Sequence, residues 1–571
     1  MNVKNKLPKK RARYAVARVL FIFILVFAAF LRIYKLGSVP SSVTNDELIF
    51  IYNGYSIFKT GKDLVGNFLP WITNIAVPFT PVYSYIVAPF VGIFGLNAFW
   101  GRFPNVLLGL GHLVLVYLIF NKIFRNQKLS LLTLFVLAVS PWHLQLTRSA
   151  YDVISATFFY LFTILLFLEA FAQTDQKRKY LLYSLCSLPL FLALYSYRAT
   201  NLIYFPVIFS LLVFAFGQFK KKIKELGYFV LISVMIFSLA LVINKQHGTD
   251  YTKEAFNGLS SALNMVEAHK IVDHEIANAQ APLIVSRIFN NKLTYALRIF
   301  RENYLGAFSI EYLFTKGEAQ PIYNLWWRGV LYLIELPLIL LGIFYLLQLN
   351  KKGFVFIVLS LILAPLPSGI AGPTYVSRAF YMIFFTSVLT AGGILQITHW
   401  LKKNQLKYPI LAMIFLLYSL HIASYLYQYY ARYAIYGAEA WFRSTKEVSQ
   451  YVAQQKEQKI IYANSTFFEV VNYAFYKQIK PERIQNVYLN GYKNNRFRLE
   501  NIEFRQDCLN NGEGNPQEFL PNGTIYVTRF RPCHKEYDAP ENIRRYNGKF
   551  TPESEIIWKI YHGKKNVNKN N

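Results

Sequence analysis

The chain has 571 residues, of which 54% are hydrophobic and only 16% charged, where a soluble protein carries about 25% charged residues. Its net charge is +30, but the lysines and arginines collect in short loops between apolar runs, as the positive-inside bias and anionic headgroups require. With no nucleic-acid module in view, this excludes a soluble globular protein and a nucleic-acid binder, and predicts an all-α polytopic membrane domain followed by a polar tail.

The first segment is basic (Lys4, Lys6, Lys9, Lys10, Arg11, Arg13, Arg18) and leads into the apolar run Val19–Leu31 without a small-residue cleavage site. An uncleaved anchor with its N-terminus in the cytoplasm is expected. Further apolar runs lie near 80–98, 103–123, 129–142, 151–172, 180–197, 201–217, 226–244, 329–348, 353–371, 379–398 and 408–428. If every run crosses, the basic clusters fall on both sides. The run 80–98 carries Pro81, Pro89, Gly92 and Gly95; read as re-entrant, it leaves about eleven spans with all those clusters cytoplasmic. The loops 35–100 and 245–328 and the tail 429–571 are then extracytoplasmic, in a plasma (inner) membrane protein. The tail alternates helical and strand-like signals and is expected to be a small α/β domain ending in a disordered basic stretch, Lys564 to Asn571. Cys508 and Cys533 in it can pair if the compartment is oxidising.

Polar residues gather on the expected outer face. Asp46 and Glu47 open a helical run that Asn45 or Thr44 can cap and Gly61 can end. Leu48, Ile51, Tyr52, Tyr55 and Phe58 give that helix a face for the membrane or bundle. The acidic pair suits catalysis, but carboxylates in a first helical turn are also favoured by the macrodipole alone. Lys62 follows in the same loop, where it can meet a phosphate or snorkel to headgroups. The turn Ser140–Asp152 adds His143, Arg148 and Asp152. Arg148 can bind phosphate bidentately, Asp152 is an acid or a cap, and His143 is a substrate contact or a hydrogen-bonded interfacial residue. Arg198 and Arg378 lie in two further turns of the same sidedness. Carboxylates and arginines on one face suit departure of a phosphate from a sugar carbon. An acidic pair alone does not make a metal site, so a divalent ion at Asp46 and Glu47 is left open.

These residues carry a resemblance. Asn45-Asp-Glu47, Tyr55-Ser-Ile-Phe-Lys-Thr-Gly-Lys-Asp63 and Gly66-Asn-Phe-Leu-Pro70 resemble the first outer loop of bacterial glycosyltransferases of the protein O-mannosyltransferase/aminoarabinose-transferase type. Gly101-Arg-Phe-Pro-Asn-Val-Leu-Leu-Gly109, Ser140-Pro-Trp-His143 and Arg148-Ser-Ala-Tyr-Asp152 are similar to that family's following stretches. The resemblance covers roughly residues 15–400 and implies a GT-C-like bundle and inverting transfer of a sugar from a polyprenyl-phosphate donor. It further implies Asp46 as principal catalytic carboxylate with Glu47 beside it, Asp152 as the second-loop acid and Arg148 against phosphate. Lys62, Arg198 and Arg378 rest on sidedness alone. Phe79-Thr-Pro-Val82 lacks the ionisable group that many relatives carry before the re-entrant segment.

The expected function is therefore a membrane glycosyltransferase that moves one sugar from a lipid donor to a protein, lipid or glycan acceptor. The alternatives are a transporter or flippase of lipid-linked sugars, and an oligosaccharide polymerase or ligase.

Overall fold

A computed structural model describes residues 6–75, 78–246, 265–320, 322–401, 405–455, 458–529, 531, 533–546 and 554–563; the basic end, Lys564 to Asn571, lies outside them. The chain divides into two compact units. One comprises residues 1–32, 106–147 and 152–425, the other 33–105, 148–151 and 426–571.

The first unit is a bundle, and the chain is a multi-pass membrane protein. Among the described residues eight helices are long and apolar enough to cross a membrane, or nine if Gln127–Val139 and Pro141–Thr147, bent by 60°, form one span. Counting that bent pair as one span, two of the expected eleven runs are present as shorter helices. That at 180–197 is split into Gln176–Leu185 and Ser187–Leu194, because Pro189 lacks the amide that would bond back to Leu185. That at 329–348 is the 15-residue helix Glu335–Leu349, whose rise of about 22 Å falls short of a ~30 Å hydrocarbon core. This helix packs backbone to backbone on Met382–Trp400: a Cβ on Gly342 would sit 1.8 Å from the Leu389 carbonyl oxygen. Small residues allow such close approach where both helices are apolar. The run expected to be re-entrant contains the 13-residue helix Val82–Phe94 with Pro89 inside it, again too short to cross.

The second unit joins the first loop to the tail. Its loop helix, Asn45–Thr60, starts at a capping box in which Thr44 and Glu47 bond each other's backbone, and ends at Gly61 with φ 68°, the left-handed region that glycine enters without a Cβ penalty. Asn53, Asp63 and Thr73 stitch the loop that follows: Asp63 accepts from Val65 and Asn67 backbone amides and from the Thr73 hydroxyl. Leu48, Ile49, Ile51 and Tyr52 are fully buried in a core shared with Val470, Val471, Ala474 and Ile484. The Tyr52 hydroxyl donates to the Ile479 carbonyl at 2.7 Å, and the Gln485 amide donates to Ser56, Thr60 and the Asp63 carbonyl. The apolar face expected to lie on the membrane or bundle thus packs against tail helices Phe467–Lys477 and Pro481–Gly491.

Short strands β1 (Thr73–Asn74) and β2 (Pro78–Phe79) pair in the first loop. The tail carries a six-stranded sheet of order β4-β5-β3-β6-β8-β7, with β3 (Lys459–Tyr462), β4 (Arg496–Leu499), β5 (Ile502–Arg505), β6 (Thr524–Arg529), β7 (Glu541–Tyr546) and β8 (Ser554–His562). β3 runs parallel to both β5 and β6, with Ile460 opposite Ile502 and Ile525. Periodicity predicts strands over 459–463 and 523–528 and an amphipathic helix over 438–455; these are β3, β6 and Arg443–Gln454. Cys508 and Cys533 form a disulfide that closes 25 residues of chain. Replacing both by serine is expected to lower stability by about 2–4 kcal/mol, read as a lower melting temperature of the purified protein that reducing agent does not lower further.

Candidate active site

Glu47, at the third position of the loop helix, is fully buried and every direction around it is taken. Its Oε1 accepts from Arg102 Nε at 3.0 Å and the Ala150 amide at 2.7 Å, and its Oε2 from Arg102 Nη2 at 2.9 Å and the Thr44 amide at 3.3 Å. Arg102 is equally buried. Its remaining donors reach the carbonyls of Leu36 and Pro40, both at 3.1 Å, and of Ser42 at 2.5 Å, which fills the fork of five N–H groups. The guanidinium lies 5.3 Å from the Trp441 ring. Such a pair is tolerated in the interior only because both ions are fully hydrogen-bonded. Glu47 and Arg102 therefore hold the start of the loop helix, the chain before it and Ala150 of the second loop in one register. The sequence signal for Arg102 was its place in Gly101-Arg-Phe-Pro104, to which no chemistry was attached.

Asp46, one residue earlier, points elsewhere. It is half-buried, and its carboxyl is pushed up to about 6 by burial first and by the Glu47 charge second, with no hydrogen bond to offset them. A carboxyl in that range can exchange a proton near neutral pH. Lys62 is exposed, its backbone paired with Phe68.

Arg148 departs from the expectation that it faces a phosphate. It is fully buried, donates to the Val39 carbonyl at 2.9 Å and the Tyr429 hydroxyl at 3.2 Å, and lies 5.0 Å from the Tyr430 ring. Aromatic faces and a carbonyl draw the guanidinium inward. Asn105 holds the same turn through the Ser149 and Tyr151 carbonyls at 2.7 and 2.8 Å.

The bundle unit holds the other candidates. Asp152 is 5% exposed at the start of Val153–Ala172, where its side chain makes no capping bond. His143 is not an outward contact: it is fully buried, with Arg32 Nη2 2.8 Å from its Nδ1, His112 3.2 Å from its Nε2 and Phe380 stacked on the ring. Arg198 and Arg378 are half-buried, and their turns are joined by the Tyr197 and Ser377 hydroxyls at 3.1 Å. Beside them Glu318, which sequence reasoning missed, accepts from the Val376 amide at 2.7 Å. Burial pushes its carboxyl up to about 7 against the pull of that amide and of the Arg378 charge.

Among the described residues no group of three or more His, Cys, Asp or Glu is arranged to hold a metal ion. The pair Asp46 and Glu47 does not fit one, because the Glu47 oxygens are already taken by Arg102, Thr44 and Ala150.

No curated protein matches the chain in sequence. In structure it is similar to the archaeal oligosaccharyltransferase AglB from Archaeoglobus fulgidus, at 14% identity and a TM-score of 0.48, covering 81% of this chain and 64% of that one. It is also similar to ArnT from Cupriavidus metallidurans, solved with undecaprenyl phosphate, at 10% identity and a TM-score of 0.49, covering 95% and 97%. The S. cerevisiae Pmt1-Pmt2 complex is a more limited likeness, at 17% identity and a TM-score of 0.32, covering 40% and 33%. In sequence, residues 77–242 match the family described as dolichyl-phosphate-mannose-protein mannosyltransferase, and in this stretch the chain is similar to the glycosyltransferase type that its outer loops resemble.

Proposed function

We propose that the chain is a membrane glycosyltransferase that moves a single sugar, with inversion, from a polyprenyl-phosphate donor to a hydroxyl or amine of a protein, lipid or glycan acceptor. The family match over residues 77–242 supports the reaction class, and Asp46 carries the chemistry. Its half-buried carboxylate takes the proton of the acceptor as the acceptor's oxygen or nitrogen bonds the anomeric carbon. The bond from that carbon to the carrier phosphate breaks on the opposite side, and the phosphate leaves with the electron pair. Glu47 and Arg102 position Asp46. Lys62, exposed in the same unit, is assigned to the departing phosphate, and Asp152, Arg198 and Arg378 are further candidates to be tested by substitution. Arg148 is assigned to holding the second loop. Loop charge bias and the Cys508–Cys533 disulfide support an extracytoplasmic first loop and tail in the plasma (inner) membrane.

The test uses the purified protein in nanodiscs with a panel of radiolabelled polyprenyl-phosphate sugars. Release of carrier phosphate with addition of one sugar to an acceptor is expected. Binding of the lipids without release from any of them overturns the assignment.

The state of Asp46 has two consequences. Its carboxyl is raised from 3.8 to about 6, so kcat/KM should climb about tenfold per pH unit below that value and level off above it. Because the folded state holds this proton more tightly than the unfolded chain, the stability it contributes is present below pH 3.8 and lost as pH rises through about 6. Wild type should therefore lose stability relative to Asp46→Asn across that window. A constant difference from acid to neutral pH would show that Asp46 does not titrate there.

A further inference from the structure

The bundle unit contains a cavity of about 690 Å³ that the proposed chemistry does not use. It lies where Ala98–Phe124 and Val153–Ala172 end and where Lys351–Leu363 begins. Lys122, Arg125 and Lys222 line it together with Leu168, Phe171 and Phe214, and no carboxylate is among its lining residues. One part is thus cationic and the other apolar.

The cations are placed with care. Lys122 pairs with Glu169 at 2.6 Å. The Lys222 ammonium donates to the Phe171 carbonyl and lies 4.0 Å from the centre of its ring. Glu225, the other carboxylate near Lys222, is bonded to Lys179 at 3.2 Å. Arg125 is exposed and stands at φ 50°, in the left-handed conformation that glycine ordinarily supplies at the end of a helix. Its amide makes the closing bond to the Asn121 carbonyl at 2.8 Å. A long cationic side chain occupies a position whose backbone favours none.

A soluble anion would use the cations and leave the aromatic wall wet. A phospholipid uses both: its phosphate meets Arg125 and Lys222, and its acyl chains run along Phe171 and Phe214 toward the exposed Phe216. Lys122 and Arg125, with Lys128, and Lys222, with Lys220, Lys221 and Lys224, form two of the basic clusters between apolar runs, which charge bias assigns to the cytoplasmic side, whose leaflet is rich in anionic lipid. We propose that this cavity binds the phosphate headgroup of an anionic phospholipid at the cytoplasmic end of the bundle.

Native mass spectrometry of the full chain released from detergent, with phosphatidylglycerol or phosphatidylcholine at equal concentration, tests this. Wild type should retain phosphatidylglycerol in preference to phosphatidylcholine. The affinity should fall about fivefold for each cation removed in Arg125→Gly and Lys222→Gln. Arg125→Gly alone guards against misfolding, since glycine suits that backbone. The exposed pair Lys177→Gln with Arg178→Gln, outside the cavity, should retain the lipid like wild type. Equal retention of phosphatidylglycerol by wild type and the Arg125→Gly/Lys222→Gln variant overturns the site. Displacement of the lipid by an equal concentration of glycerol 1-phosphate overturns the lipid assignment in favour of a soluble phosphate.

Discussion

Asp46→Asn should slow sugar transfer by about a hundredfold or more, while the protein still folds and still binds its lipid donor. Asparagine is nearly isosteric and needs no counter-charge, so the half-buried start of the loop helix should accept it without rearrangement. The base is lost, and with it the means of removing the acceptor's proton as the new bond forms. Donor binding should persist, because no phosphate contact is assigned to Asp46. Single-turnover transfer from a labelled polyprenyl-phosphate sugar, measured beside donor binding, separates the two. A variant within about threefold of wild type would move the base away from Asp46, with Asp152→Asn the next substitution to measure.

Arg102→Ala should be among the most destabilising substitutions in the molecule, at about 3–5 kcal/mol. Removing the guanidinium leaves the Glu47 carboxylate buried without its counter-ion, and it frees the carbonyls of Leu36, Pro40 and Ser42 at once. Glu47→Ala should cost a similar amount for the mirror reason. The double variant Arg102→Met/Glu47→Leu should recover much of that stability, since two apolar side chains need no partners. Transfer should nevertheless stay low in the double variant, because the bond from the Ala150 amide to Glu47 is not restored and Asp46 is no longer held in register. Unfolding of the four proteins as a double-mutant cycle gives the coupling. If the double variant is as active as wild type, the pair serves stability alone.

How far the site could be read from the chain depended on the range of the interactions that make it. The loop helix was legible at both ends, since Thr44 with Glu47 and then Gly61 are signals within one turn of their effect. Asp46 was legible as a candidate because an acidic pair beside apolar runs stands out from its neighbours. Its separation from Glu47 into one half-buried carboxylate and one locked in place was not, because the partner that locks Glu47 is Arg102, fifty-five residues away. At the entrance of an apolar helix, an arginine looks like an interfacial residue. Arg148 and His143 were placed outward because they lie in a turn between spans. Their actual partners, Val39 and Tyr429 for one and Arg32 and His112 for the other, are remote in sequence. Glu318 carried no local pattern at all.

The sequence by itself determined where most of the apolar helices run, where the loop helix begins and stops, two of the strands of the tail, and that the protein lives in a membrane. These follow from hydropathy, period and capping, which act between residues a few positions apart. Only the tertiary structure decided that the first loop folds with the tail, that Glu47 is locked by Arg102, and that Arg148 and His143 turn inward. Those outcomes depend on which buried donors meet which acceptors across long stretches of chain, and burial makes each such meeting obligatory without making it visible in the pattern of residues.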